Sequence, residues 1–140
     1  MKQGGKISHS YSIRVRYADT DKMGIVYNGN YLVYFEIGRT ELMRHHGLSY
    51  PELENAGYML PLVESYARYH NPAFYDDILD IRAELVFENK PFLKFDYKIY
   101  KSETLVCSGH TLHAFMSTET RKAVRPPQIF TRAVEKIAGA

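Results

Sequence analysis

One long helical period, set inside a chain that otherwise reads as strands, most constrains how this protein can fold. From about Asn30 to His46, apolar residues recur at Tyr31, Tyr34, Phe35, Gly38, Leu42 and Met43, with Glu36, Arg39, Glu41 and Arg44 between them. That spacing is the period of an amphipathic helix. Asn28 or Asn30 can cap its start, and Gly47 stands where a left-handed residue is expected just past its end. At ~1.5 Å per residue the helix is about 25 Å long, enough to cross a small sheet. Upstream, Tyr11, Ile13, Val15 and Tyr17 alternate with Ser12, Arg14 and Arg16, so residues 11–17 read as a half-buried strand, with 18–29 as loop.

Downstream of the helix, residues 51–56 read as a short helical turn, with Ser49 as its cap and Pro51 near its first position. Four extended stretches follow, over 58–70, 77–89, 91–101 and 104–117. In the third, Leu93, Phe95, Tyr97 and Ile99 alternate cleanly with polar neighbours. Asn89-Lys90-Pro91 and Ser102-Glu103 mark tight connections, so the last three stretches form an antiparallel meander. Pro61 bends the first stretch or places it at an edge. Pro126-Pro127 ends the last strand, and a terminal helix over 128–138 occupies the 127–140 tail. One helix cannot cover a large sheet twice, so the sheet is expected to curl around it in a single α+β domain. A second sheet face and any open edge would still need covering, which favours a homo-oligomer.

At 140 residues the chain is long enough for one self-standing core. A formal charge of +2 is too small to imply a nucleic-acid partner, though it suits a phosphate-bearing ligand. Cys107 is the only cysteine, so no intramolecular disulfide can form; with no signal-like N-terminus, a reducing cytosol is expected. No stretch approaches ~20 apolar residues, so no membrane span is expected. Residues 1–8 are expected to be flexible.

The chemistry concentrates in Tyr17–Arg39, which reads YADTDKMGIVYNGNYLVYFEIGR. Asp19 and Asp21 lie in a polar turn, and Gly24 and Gly29 follow before the helix. A carboxylate ahead of a helix N-terminus can act as nucleophile or base, while the helix end supplies free N–H groups to an oxyanion. Gly24 and Gly29 let backbone approach a ligand, or serve a simple turn.

These residues resemble the hotdog-fold acyl-CoA thioesterases, in the 4-hydroxybenzoyl-CoA thioesterase-like branch and close to the enzymes associated with the Tol-Pal system. The resemblance rests on Tyr17-x-Asp19-Thr20-Asp21-x-x-Gly24-Ile25-Val26-Tyr27, then Asn30-Tyr31, then Phe35-Glu36-x-x-Arg39-Thr40-Glu41. Met43-Arg44-His45-His46-Gly47 and Tyr75-Asp76-Asp77 extend it. It implies a five-stranded antiparallel sheet wrapped around one central helix, with short accessory helices. It also implies acyl-CoA hydrolysis without a cofactor or metal, at a dimer interface, in a dimer or a dimer of dimers; the branch favours a tetramer. Asp21 takes the place of the catalytic carboxylate, and the backbone amides of Tyr27 and Asn28 the place of the carbonyl-polarising donors. Several relatives carry His where this chain has Asn28, and the 4-hydroxybenzoyl enzyme carries Tyr. Asn28 does not titrate near neutral pH, so histidine assistance from that position is excluded.

Asp19 reads as the brace of the loop. Glu36 is the rival base, with pairing to Arg39 as the plainer role. Gly24, Ile25, Val26 and Tyr31 are expected at the substrate, and Arg121, Lys122 and Arg125 at the CoA phosphates or simply in solvent. His110 and His113 are three apart on a strand and face opposite ways, and adjacent His45 and His46 diverge, so neither pair suits zinc. Asp76-Asp77 reads as a solvated turn and Cys107 as a packed small residue. A non-catalytic acyl- or CoA-binding module on the same fold is the alternative function. A dehydratase lacks a histidine in the loop before the helix.

Overall fold

The helical period forms the central helix: α1 covers Asn30–His45, and its buried residues are Tyr31, Tyr34, Phe35, Gly38, Leu42 and Met43, the six apolar positions of the sequence. The computed structural model describes residues 5–48, 50–88 and 90–139. Around α1 run strands β1 (Gly5–Arg14), β2 (Tyr58–Met59), β3 (Leu62–Tyr69), β4 (Ile78–Phe87), β5 (Phe92–Lys101), β6 (Thr104–Ala114) and β7 (Met116–Ser117). Helix α2 spans Tyr50–Asn55 and α3 spans Gln128–Ala138. The main sheet is five-stranded in the order β1-β4-β5-β6-β3, and every pairing is antiparallel. β4, β5 and β6 form the expected meander, and β3, which follows Pro61, is an edge strand.

Two stretches differ from the sequence reading. The first strand starts at Gly5, with Gly5 opposite Phe87 and Ser8 opposite Glu84, so residues 5–8 are sheet rather than a flexible tail. Ile7 carries the apolar alternation upstream and is buried; the serines and His9 around it dilute the pattern. The strand also ends early, because the Asp19 N–H donates to the Arg16 carbonyl (3.0 Å) and winds residues 17–19 into a 3-10 turn. Tyr17 is therefore exposed, and Tyr11 within β1 is partly exposed as well. The stretches 58–70 and 104–117 are each broken, giving a separate two-stranded β2–β7 ladder. The cap at Ser49 and the turn residue Asn89 lie outside the described residues.

Packing fixes α1 against the sheet, chiefly on β4 and β1, with β5 adding an aromatic contact. Phe35 stacks on Tyr97, with ring centroids 4.3 Å apart. Gly38 sits where a Cβ would lie 2.7 Å from Ile81 Cγ2 and 3.5 Å from Ala83 Cβ, so only glycine lets the helix approach the sheet this closely. The C-terminal end of α1 is closed by paired bonds: Gly47 N–H to Arg44 carbonyl (3.2 Å) and Leu48 N–H to Met43 carbonyl (2.7 Å), with Gly47 at φ 76°. This is the Schellman arrangement. α3 closes one end of the sheet through Phe130, whose ring lies 5.5 Å from Phe87 and 5.2 Å from Phe115. Among the described residues, no helix is long and apolar enough to cross a membrane.

Candidate active site

The two aspartates before α1 occupy opposite environments. Asp19 is 5% exposed. Its carboxylate accepts the Arg16 backbone N–H (3.0 Å), the Arg16 guanidinium (2.9 Å) and the Tyr34 hydroxyl (3.0 Å). Burial pushes its pKa up, but hydrogen bonds from the Arg16 side chain and backbone and from Tyr34 outweigh this and hold it below the usual carboxylate value. Its carbonyl accepts the Tyr27 N–H (2.9 Å) and the Asn30 side-chain amide (2.7 Å). Asp19 thus ties strand exit, loop and helix start together, which is the bracing role read from the sequence. Asn30 serves this clamp rather than capping the helix; the cap position is Gly29, which makes no side-chain bond.

Asp21 is half-buried and opens a tight turn. Gly24 N–H returns to the Asp21 carbonyl (2.9 Å), and the Asp21 N–H donates to the Ile25 carbonyl (2.8 Å). Gly24 adopts φ 81°, a left-handed conformation that favours glycine. One Asp21 carboxylate oxygen, Oδ1, accepts the Met23 N–H (2.8 Å); the other takes no donor among the described residues. This Asx-type bond aims the carboxylate without saturating it.

A cleft of about 480 Å³ brings Asp21 together with Ile25, Val26, Asn28 and Tyr31. Its opposite wall comes from the end of β3 and the loop after it, through Tyr69, His70 and Asn71. These residues carry no local motif; they reach the site because the edge strand ends beside the helix start. The Tyr69 hydroxyl donates to the Asn28 carbonyl at 3.3 Å, and the Asn71 side-chain amide is held by the Leu105 carbonyl at 2.8 Å. At the helix start, the N–H groups of Asn28 and Gly29 have no acceptor among the described residues.

Several expected site residues fall elsewhere. Tyr27 cannot offer its amide, because that N–H is bonded to the Asp19 carbonyl. Gly24 shapes the turn and does not line the cleft. Arg121, Lys122 and Arg125 do not line it either. Arg121 and Lys122 form the turn after β7, bonded to Ser117, and β7 pairs with β2, which the chain reaches only after the far end of α1. Glu36 is exposed on α1, outside this cleft, and no ion pair joins it to Arg39 among the described residues.

The remaining polar candidates are structural. His110 points outward to Glu64 (2.6 Å), whereas His113 is buried on the inner face. His9 stacks on His45, with ring centroids 4.4 Å apart. Asp76 and Asp77 hold a turn, paired with Arg14 (3.1 Å) and Lys101 (3.0 Å). Burial pushes the Cys107 thiol up to about 12, so it is not a nucleophile near neutral pH.

Comparison with known proteins identifies the family. The family profile of the thioesterase-like superfamily matches residues 15–134. The chain is 33% identical over 133 residues to the acyl-CoA thioesterase YbgC of Helicobacter pylori (strain J99), covering 89% of this chain and 98% of that one. It is 33% identical over 93 residues to the acyl-CoA thioester hydrolase YbgC of Escherichia coli O6:H1, covering 66% of this chain and 69% of the relative. The DHNA-CoA thioesterase structure from Staphylococcus aureus superposes with a TM-score of 0.86 at 26% identity, over 95% of this chain and 92% of that one. The chain belongs to the thioesterase-like superfamily, among its hotdog-fold acyl-CoA thioesterases.

Proposed function

We propose that this protein hydrolyses an acyl-CoA to a carboxylic acid and CoA, with Asp21 as its working carboxylate and the start of α1 as its electrophilic half. The observation that carries this reading is the contrast within one cleft between an unsaturated carboxylate and unbonded helix-start amides. The thioester carbonyl oxygen accepts from the Asn28 and Gly29 N–H groups, where the helix dipole favours developing negative charge. Asp21 then either attacks the carbonyl carbon to form an acyl-aspartyl anhydride or removes a proton from an attacking water. The tetrahedral intermediate collapses with cleavage of the C–S bond. The thiolate is a good leaving group and takes its proton from solvent. In the first route, water hydrolyses the anhydride and restores Asp21. Neither route needs a group beyond these residues and water.

The working unit we propose is a homodimer, with a dimer of dimers above it. β3 is an open edge with Leu62, Val63 and Tyr69 about half exposed, a condition that strand pairing with a second copy relieves. Such pairing places a partner strand beside the Tyr69 end of the cleft. A buried lone cysteine and a CoA-linked substrate suit a cytosolic setting.

Asp21→Asn should lower kcat by about a hundredfold or more while leaving the thermal transition and the binding of a non-hydrolysable thioether analogue in place. Near-wild-type CoA release by that variant would remove Asp21 from the mechanism. No release by wild-type protein across short, long and aryl acyl-CoAs would instead point to a binding module. A single turnover in heavy-oxygen water separates the two routes, since only direct attack labels the Asp21 carboxylate.

A further inference from the structure

The end of edge strand β3 reaches across the cleft to the helix start. Tyr69 is the last residue of β3 and stands opposite Cys107 of β6 in the sheet register. Its ring lies against that of buried Tyr31, with centroids 5.5 Å apart, and its hydroxyl donates to the Asn28 carbonyl at 3.3 Å. Among the described residues, this is the one hydrogen bond that joins a strand of the main sheet to residues 27–30. Burial, with Cys107 and Tyr27 nearby, pushes the Tyr69 pKa up, so the phenol keeps its proton and is a donor near neutral pH.

The bond matters because of what lies on the other side of the same peptide. In a trans peptide the C=O and the N–H point in opposite directions across one rigid plane, so the Asn28 carbonyl and the Gly29 N–H cannot turn independently. The Asn28 carbonyl has two lone pairs, and both are used. It accepts the Tyr31 N–H (3.2 Å) along the helix and the Tyr69 O–H (3.3 Å) from the sheet. The neighbouring Tyr27 carbonyl accepts the Asn30 N–H at 2.9 Å and no second donor among the described residues.

The two unbonded amides of the helix start therefore differ. The Asn28 N–H belongs to a peptide held by the helix alone, whereas the Gly29 N–H belongs to one held by helix and sheet together. Two donors on a carbonyl also polarise its peptide, which strengthens the N–H as a donor. Gly29 has no Cβ to crowd that amide; one built there would lie 2.9 Å from Tyr27 Cε2.

We propose that Tyr69 is a positioning residue for the reaction: through the Asn28 carbonyl it fixes and polarises the Asn28–Gly29 peptide, and so makes the Gly29 N–H the main donor to the thioester oxygen. The assignment rests on the thioesterase reading above; it names the amide that carries the electrophilic half and the side chain that holds it. Tyr69 acts through the backbone and is assigned no contact with the reacting atoms. The thioester oxygen gains negative charge as the tetrahedral intermediate forms. A donor aimed and strengthened beforehand thus acts more on the transition state than on bound substrate, and its loss lowers kcat while leaving KM nearly unchanged.

The test compares wild type with Tyr69→Phe, which keeps the ring beside Tyr31 and removes only a half-exposed hydroxyl. kcat should fall about tenfold, less than the hundredfold or so that follows deletion of an oxyanion donor itself, with KM and the affinity for the thioether analogue within about twofold of wild type. The thioether has no carbonyl oxygen, so a role as cleft wall alone would move its affinity and the proposed role would not. With nitrogen-15 glycine, the Gly29 amide proton should move upfield in the variant while those of Gly38 and Gly47 stay in place. In wild type, a ketone analogue with CH2 in place of sulfur should move the Gly29 amide proton further downfield than that of Asn28. An unchanged kcat, or a fall matched by an equal loss of thioether affinity, would overturn the assignment and leave the hydrolase reading standing. So would an unmoved Gly29 proton in the variant. The reverse order of the Asn28 and Gly29 shifts in wild type would overturn it whether or not the variant folds. Absence of turnover by wild type on every acyl-CoA would overturn both readings.

Discussion

The two ends of α1 are built by opposite rules. At the C-terminal end, Gly47 and Leu48 return their N–H groups to Arg44 and Met43, and the chain leaves with its last carbonyls bonded. At the N-terminal end, Asp19 clamps everything around the helix start but leaves the cap position without a side-chain partner. A capped end contributes stability and little else. In the proposed mechanism, an end held in place from behind, with its amides free, acts as a preorganised binding site, because the cost of orienting the donors is met before substrate arrives. Asp19 has three donors on its carboxylate and Asp21 one, so in the proposed mechanism the working carboxylate is the less bonded one.

The contrast can be broken most forcefully at Asp19. Asp19→Asn leaves the buried Tyr34 hydroxyl and the Arg16 clamp poorly matched, and should cost about 2 kcal/mol of unfolding free energy together with most of the activity. Denaturant unfolding and CoA-release assays read the two effects. A variant with wild-type stability would show that the clamp is not the organiser of the helix start. Gly47→Ala strains a left-handed residue and should cost about 1 kcal/mol with kcat unchanged; a fall in kcat would mean that the far end communicates with the cleft.

A finer separation uses pH. His9, packed by burial against His45 and His46 near the far end, has its pKa held below 6.5. The unfolded chain therefore takes up that proton first, and stability falls as pH drops below 6.5 until the folded-state pKa is passed. Asp19 is depressed below 3.8, so its contribution is present above that value and is lost only as pH falls through the lower folded-state pKa. Acidification should thus loosen the β1–α1 far end before the active-site end, with hydrogen exchange along α1 as the measure. His9→Gln should flatten the earlier decline only.

The central helix was legible because its six inward residues obey one period, and the meander because its alternation is clean. Asp21 as the open carboxylate and Asp19 as the brace were also readable from motif and order. The Tyr27 amide was not, since its partner, the Asp19 carbonyl, is a backbone group with no sequence signature. Tyr69 and Asn71 escaped notice for a related reason: only the sheet order β6-β3 brings the end of an edge strand to the helix start. Arg121, Lys122 and Arg125 illustrate the opposite failure, in which a run of cations suggested a phosphate site but said nothing about which end of the helix it would occupy.

Gly38 gives the helix its fulcrum. There the backbone of α1 meets the Ile81 and Ala83 side chains of β4 with no side chain of its own between them. Any larger residue at that point would clash with Ile81 and push the helix away from the sheet. Gly38 lies outside the Asp21 cleft, so in the proposed mechanism variation in acyl-group size among such proteins can be sought at this packing point as well as in the pocket.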